Sequence, residues 1–214
     1  MKIKGYCFIT DSDLSVNGNI SDVKNAIKAG VSIVQYREKC ASSKKMYEEA
    51  LVLRRICKRI TFIVNDRIDV ALACGADGVH IGQDDLPLDI ARKILGKKKI
   101  IGVTVHTVKE AQTAEKSGAD YLGVSPVFST FTKNDAGKPV GVGMIKAIKN
   151  RVSIPIIAIG GINLANAKSV IDAGVDGLCA ISCVVTKRDI KKEIEKLTIL
   201  FERVSAEPRR VEKE

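Results

Sequence analysis

Three groups of polar residues in this sequence have the types and spacing to work on an anion. The stretch "VQYREK", residues 34–39, begins as buried-strand text and ends in Arg37, Glu38 and Lys39. Alternation along a strand puts Gln35, Arg37 and Lys39 on one face and Val34, Tyr36 and Glu38 on the other. Arginine offers a planar fork of donors for phosphate oxygens, and lysine a mobile point charge. A surface ion pair would account for one such residue, but Gln, Arg and Lys on a common face point to anion binding. In the second group, "TFIVND" delivers Asn65 and Asp66, and "GVHIGQDD" delivers Gln83, Asp84 and Asp85. Carboxylates from neighbouring strands about 4.8 Å apart can share one cation. Mg2+ takes one or two carboxylates and fills its shell with water and phosphate oxygens. The competing reading makes Asp66 a turn residue and Asp84 or Asp85 a cap before "PLDIARKIL". The third group holds "GVSPVFSTFTKND", with Ser129, Thr130, Thr132 and Lys133, then Gly160 and Gly161 in "PIIAIGGIN", and Ile181 and Ser182 in "GLCAIS". Hydroxyls beside a lysine, and backbone N–H groups at a glycine turn, suit a second phosphate. "IIGVTVH" adds Thr104 and His106.

Something must bring these groups together. Strand-like runs of β-branched and apolar residues stand at about 4–10, 31–38, 60–66, 78–82, 99–105, 121–127, 155–161 and 177–182. Between most of them lie helical patterns such as "DVKNAIKA", "MYEEALVLRRICK", "VKEAQTAEKS" and "NAKSVIDA". Strict alternation of strand and helix implies parallel strands joined by right-handed crossovers. The chain also echoes itself: "IKAGVSIVQ", "ACGADGVHIG", "KSGADYLGVS" and "IDAGVDGLCAIS" each end a helix on a glycine, turn, and start a strand. Gly30, Gly75, Gly118 and Gly174 suit the left-handed position that closes a helix. Eight such units in 214 residues predict a compact (β/α)8 TIM barrel, one domain over residues 1–206, with 207–214 as a charged, disordered tail. In this fold the loops after the strands form the active site. All three polar groups follow strands, so they converge on one mouth built for two anionic groups.

Composition narrows the function. Thirty-five Lys and Arg against 25 Asp and Glu give a net charge of +10, but the charge is dispersed over predicted helices and aromatics are only 4% with no Trp. Nucleic-acid modules concentrate charge and interleave aromatics, so no nucleic-acid partner is expected. No apolar run approaches the ~18 residues of a membrane span, and the opening "MKIKGYCFITDSD" does not suit a secretory signal. A cytoplasmic location is expected. Six cysteines without a close pair, and only two histidines, offer no zinc spacing; the thiols are expected to be structural, and His80 a hydrogen-bonded core residue.

Taken in series, "VQYREK", "VNDRIDVALACGADGVHIGQDD", "IIGVTVH", "GADYLGVSPVFSTFTK" and "IPIIAIGGI" resemble thiamine-phosphate synthase, also called thiamine-phosphate pyrophosphorylase, over about residues 5–185. The resemblance implies a (β/α)8 enzyme that joins hydroxymethylpyrimidine diphosphate to a thiazole phosphate with Mg2+, releasing diphosphate in a dissociative step. It implies that Gln35, Tyr36, Arg37, Glu38, Lys39, Asn65, Thr104 and Lys133 hold the pyrimidine diphosphate, with Arg37, Lys39 and Lys133 neutralising the leaving group. It makes Asp66 and Asp85 the magnesium ligands, and gives the thiazole phosphate to Thr130, Phe131, Thr132, Gly161, Ile181 and Ser182. Thr104 stands where the family commonly has Ser, and Tyr36 where it has Leu. The competing readings are a thiazole tautomerase of the same fold, which needs neither the aspartate pair nor the Arg37/Lys39 cluster, a nucleic-acid binder, and another phosphate-handling barrel. A homo-oligomer is compatible with all of them.

Overall fold

A computed structural model describes residues 3–132 and 137–206. The elements alternate as β1 (Gly5–Ile9), α1 (Asn19–Lys28), β2 (Ile33–Tyr36), α2 (Ser43–Ile56), β3 (Thr61–Asn65), α3 (Ile68–Cys74), β4 (Gly78–Ile81), α4 (Leu88–Leu95) and β5 (Ile100–Val105). They continue as α5 (Val108–Lys116), β6 (Tyr121–Val124), α6 (Gly141–Lys149), β7 (Ile156–Ile159), α7 (Ala167–Asp172), β8 (Gly177–Cys179), a short α8 (Ser182–Val185) and α9 (Ile190–Ala206). The strands close a parallel barrel in sequence order, with β1 paired to both β2 and β8. The expected tail lies outside the described residues.

The pleat divides the side chains as a closed barrel requires. Cys7, Ile9, Ile33, Ile63, Tyr121, Ile157 and Cys179 fill the interior. Phe8, Val34, Tyr36, Phe62, Val64 and Leu122 face the helix layer and join its core. Helix ends follow local chemistry: the Ser42 side chain accepts from Lys45 N at the start of α2, and Thr107 accepts from Glu110 N at the start of α5. The four repeated glycines all take the left-handed conformation, with φ of 84°, 69°, 87° and 92°. Most observed strands are shorter than the apolar runs suggested. Residues 37–38 and 180–182 leave the ladder, because polar groups at the rim bond outside it.

The repeated text has a structural counterpart at the end of the barrel away from the mouth. Asp77, Asp120 and Asp176 occupy the same place in "GAD", "GAD" and "GVD", just before β4, β6 and β8. Each accepts a backbone N–H from the preceding strand: Phe62 at 2.8 Å, Ile101 at 2.8 Å and Ile156 at 2.9 Å. Each also meets a cation from the helix before that strand: Arg54 at 3.2 Å, Arg92 at 2.6 Å and Lys149 at 2.6 Å. The two arginines further donate to the glycine carbonyls of the repeat, Gly75 and Gly118. The first copy differs: Ser32 takes the aspartate's place, and its buried hydroxyl has no hydrogen-bond partner among the described residues.

Cysteine usage follows burial for four of the six. Cys7, Cys57, Cys74 and Cys179 are buried, and burial pushes the Cys7 and Cys57 thiols up to about 12. Cys183 is half-buried, while Cys40, expected to be structural, is exposed on the loop after β2. No helix among the described residues is long and apolar enough to cross a membrane.

Candidate active site

At the C-terminal ends of the strands a cavity collects residues from all eight units, among them Arg37, Lys39, Asp66, Asp85, Gly161 and Ser182. Its first wall is built by β1 and β2. Gln35 is the last interior residue of its strand and is buried. Beyond Tyr36 the chain leaves the ladder, and Thr10 takes over as its partner. The Thr10 hydroxyl donates to the Arg37 carbonyl at 3.1 Å and accepts from the Arg37 N–H at 2.8 Å. Arg37 Nη1 then donates to Asp11 Oδ2 at 2.7 Å, and Asp11 is only 3% exposed. A nearly buried carboxylate thus aims the guanidinium at the mouth while leaving its other donors available. Asp11 was not foreseen in the sequence. The signal was there, since "ITDSD" follows a strand, but its acidic text carries nothing that distinguishes a positioning group from a turn.

Glu38 behaves as the alternation predicts and turns away from the cavity. It accepts from the Ser12 hydroxyl and from the Cys40 and Ala41 amides, the latter at 2.7 and 3.0 Å. Burial pushes its carboxyl up, but those donors outweigh it and hold Glu38 below the usual carboxylate range. The Tyr36 side chain packs under the helices, its hydroxyl 2.8 Å from Glu49 Oε2. Neither side chain lines the cavity, and Phe131 is 98% exposed and does not line it either. Of these three, the Tyr36 and Glu38 side chains are engaged with protein partners, while that of Phe131 stands free at the surface.

The second wall carries the aspartates. Asp66 stands just past β3 with φ of 59°, the one described non-glycine residue in the left-handed region. A side chain held in that sparsely populated conformation marks a position that the surrounding contacts determine. Its N–H donates to the His80 carbonyl at 2.8 Å, and its carboxylate receives Lys39 Nζ at 2.5 Å. Asp85 reaches back from the loop after β4 to accept from Gly82 N at 2.6 Å. It does not cap α4, whose N-cap is Pro87; the capping reading is thereby corrected. Burial pushes the Asp85 carboxyl up, the Gly82 amide pulls it down, and the neighbouring Asp66 carboxyl pushes it up further. Two abutting carboxylates with one lysine between them and the anion wall form a donor set suited to a hard divalent cation. Asn65 lines the same side.

Among the described residues, the third wall holds no carboxylate. Thr130 and Thr132 line it, with the Thr132 N–H donating to the Thr130 hydroxyl at 3.2 Å. Gly160 and Gly161 have φ of 100° and 64° and lie against the loop that follows β6. A Cβ on Gly161 would stand 2.5 Å from the Ser129 carbonyl oxygen and 2.8 Å from Phe128 Cβ. Ile181 and Ser182 complete this side at the start of α8. A short extra helix after β8 beside a glycine turn after β7 is a common phosphate position in barrels of this type. Lys133 lies outside the described residues. Both histidines line the cavity: His106 at the rim, its backbone N–H donating to Glu110 Oε2 at 2.7 Å, and His80 between Tyr121 and Thr104. Its expectation as a hydrogen-bonded residue holds, but it is half-buried and faces the cavity.

Gly161→Ala is expected to cost roughly 1–3 kcal/mol of stability, from the left-handed backbone and the blocked approach together. It should also raise the KM for the phosphate bound on this wall more than that for the other substrate. Thermal melting with two-substrate kinetics checks both; an unchanged melt and equal KM shifts would contradict the packing argument.

Known proteins share this chain's sequence and its barrel. The family model for thiamine monophosphate synthase matches residues 6–184. The thiamine-phosphate synthase of Methanosarcina mazei is 56% identical over 189 residues, 88% of this chain and 79% of its own length. That of Chloroflexus aurantiacus is 49% identical over 195 residues, 90% of each. Among solved structures, thiamine phosphate pyrophosphorylase from Pyrococcus furiosus superposes with a TM-score of 0.87 at 40% identity, covering 95% of this chain and 97% of that one. Barrel and sequence agree, and the chain belongs to the thiamine-phosphate synthase family.

Proposed function

We propose that this enzyme condenses 4-amino-2-methyl-5-(diphosphooxymethyl)pyrimidine with a thiazole ethyl phosphate to give thiamine phosphate and diphosphate. The observation that carries the reading is the charge arrangement of the mouth: Arg37, Lys39 and the Asp66/Asp85 pair stand on one side. The other side is lined by glycines and hydroxyls. An acceptor phosphate can be seated there, clear of a dianionic leaving group and its metal. The aspartate pair fits Mg2+, because two abutting carboxylates leave most of a six-coordinate shell for water and diphosphate oxygens. When bound, the ion supplies charge neutralisation for the departing diphosphate.

The protein's own residues do the rest. Arg37, held by Asp11, donates to diphosphate oxygens that gain charge as the exocyclic C–O bond breaks and its electron pair leaves with diphosphate. Lys39 exchanges Asp66 for the same oxygens. Lys133, on the loop after β6, is assigned to this group from the sequence motif. Gln35, Asn65 and Thr104 orient the pyrimidine. Thr130, Thr132, Gly161, Ile181 and Ser182 seat the thiazole phosphate. Tyr36, Glu38 and Phe131 take part, on this reading, through main-chain atoms. The thiazole nitrogen lone pair then forms the new C–N bond to the pyrimidinylmethyl cation. No proton has to be removed from either reactant, so the reaction calls for no nucleophile–base pair. Fixed donors in a water-poor site are where such neutralisation is worth most. Both substrates are phosphorylated small molecules, which suits a cytoplasmic location.

The direct test mixes the two precursors with Mg2+ and follows thiamine phosphate and diphosphate, with an EDTA control. Product in equal amounts with diphosphate is expected, and its absence with intact substrates overturns the reading. In the same assay Lys133→Ala is expected to lose about a hundredfold in rate; a near-normal rate would remove Lys133 from the leaving-group set.

A further inference from the structure

The floor of the cavity is polar where a barrel interior is ordinarily apolar. His80 Nδ1 is 2.9 Å from the Tyr121 hydroxyl, and His80 Nε2 is 2.9 Å from Thr104 Oγ1. Two glycines make room for this pair. A Cβ on Gly102 would stand 2.1 Å from Tyr121 Cζ, and one on Gly123 would stand 2.9 Å from His80 Cε1. Tyr121 is 1% exposed, so its hydroxyl is settled by protein partners. Gln35 adjoins it from β2: burial pushes the Tyr121 hydroxyl up, and the Gln35 side-chain amide pulls it back down, as an N–H turned toward the phenol oxygen does.

With Gln35 as the donor at one end, the protons along these contacts run in a single sense. A phenol has one proton, and a neutral imidazole has one N–H and one lone pair. With the Gln35 N–H given to the Tyr121 oxygen, the Tyr121 proton goes to His80 Nδ1. The ring N–H is then on Nε2 and goes to the Thr104 oxygen. The proton of the Thr104 hydroxyl is left for the cavity. At the other end the Gln35 carbonyl oxygen is left for the cavity as an acceptor. Both Gln35 and Thr104 line it.

We propose that the chain Gln35–Tyr121–His80–Thr104 fixes the hydrogen-bonding polarity of the cavity floor, acceptor at Gln35 and donor at Thr104, and thereby selects a 4-aminopyrimidine edge over its 4-oxo counterpart. This rests on the reading above, in which this part of the mouth takes the pyrimidine. A 4-aminopyrimidine presents an exocyclic N–H beside a ring-nitrogen lone pair, which matches the floor. The 4-oxo tautomer presents a carbonyl beside a ring N–H, which sets acceptor against acceptor and donor against donor. Sites that pair a buried polar group with the substrate reject the mismatched analogue by about 10⁴-fold or more. Gln35 and Thr104 touch the ring, while Tyr121 and His80 are positioning residues that keep the two ends in opposite senses.

The chain has only two histidines, so ¹⁵N-labelled imidazole resonances report His80 directly in the whole protein without substrate. A neutral Nε2–H tautomer is expected in the parent and a mixture of tautomers in Tyr121→Phe. An Nδ1–H tautomer or an imidazolium at neutral pH in the parent overturns the proposal. Calorimetric binding and kcat/KM are then compared for the amino- and oxo-pyrimidine diphosphates. The parent preference, on the order of 10⁴, is expected to fall at least tenfold in Tyr121→Phe, through KM more than kcat. Thr104→Val, a near-isosteric loss of the donor, should do the same. An unchanged preference in both variants overturns the proposal. A parent that binds the amino compound selectively yet forms no thiamine phosphate supports the floor and overturns the transferase reading instead, so the two failures are distinguishable.

Discussion

Replacing Arg37 with alanine is expected to lower turnover at saturating substrate by at least about a hundredfold, the effect of losing one preorganised donor at developing charge. The same change strands Asp11, which is 3% exposed and 2.7 Å from Arg37 Nη1. Breaking one partner out of such a buried pair costs roughly 3 kcal/mol, so Arg37→Ala alone should also melt at lower temperature. The two effects separate in Arg37→Ala/Asp11→Asn. The double variant should recover most of the stability, because the buried charge is gone, and none of the activity, because the donor is still missing. Asp11→Asn alone keeps the guanidinium but loosens its aim, and should retain more activity than either variant lacking Arg37. Melting curves and steady-state rates on the four proteins check the set. A double variant that regains turnover would show that Arg37 serves folding rather than the leaving group.

Metal dependence is the second large effect. EDTA is expected to abolish product formation, and Mg2+ to restore it. Asp85→Asn keeps the side chain's shape and can still accept from the Gly82 N–H that Asp85 now meets at 2.6 Å, so the loop after β4 should survive. What it loses is the second negative charge beside Asp66. The Mg2+ concentration for half-maximal rate should rise at least 10–100-fold, the range already seen when only a ligand's supporting group is removed. Asp66→Asn should be the more damaging of the two, since it also releases Lys39, now 2.5 Å away. Magnesium titrations of both variants, with calorimetry in the presence of inorganic diphosphate, report affinity apart from turnover. Half-saturation equal to the parent's in both would exclude the aspartate pair as the ligand set.

The barrel was legible in the sequence because its evidence is periodic. Eight apolar runs, alternating helices and a glycine before every second strand leave few topologies to choose from. The side of each mouth residue was legible for the same reason: a period of two puts Gln35 inward and Tyr36 outward wherever the ladder begins. What the sequence concealed were contacts between residues far apart in number. Asp11 aims Arg37 from 26 positions away, and no local pattern marks that pairing. His80 reads as core because "GVHIG" is apolar on both sides; it is Gly123 opposite, from β6, that opens the space for its ring, as Gly102 does for Tyr121. The aspartates after β4 looked like a helix cap because Asp-Asp-Leu-Pro is good capping text. Asp85 instead spends its carboxylate on the Gly82 amide beside Asp66.

The aspartate staples at the closed end bear on how such a barrel can change. Each staple draws its acid, its amide and its cation from within one consecutive helix–strand–helix–strand stretch, and the stretch repeats every second strand. Cohesion is therefore held locally, in modules, and at the pole opposite the chemistry. A loop at the mouth can be lengthened or rewritten without disturbing any staple, and one module's staple can weaken without unfastening the next. The copy with Ser32 in place of the acid shows one module already running without it. A barrel built this way can inherit its frame unchanged while its rim is revised for a different substrate.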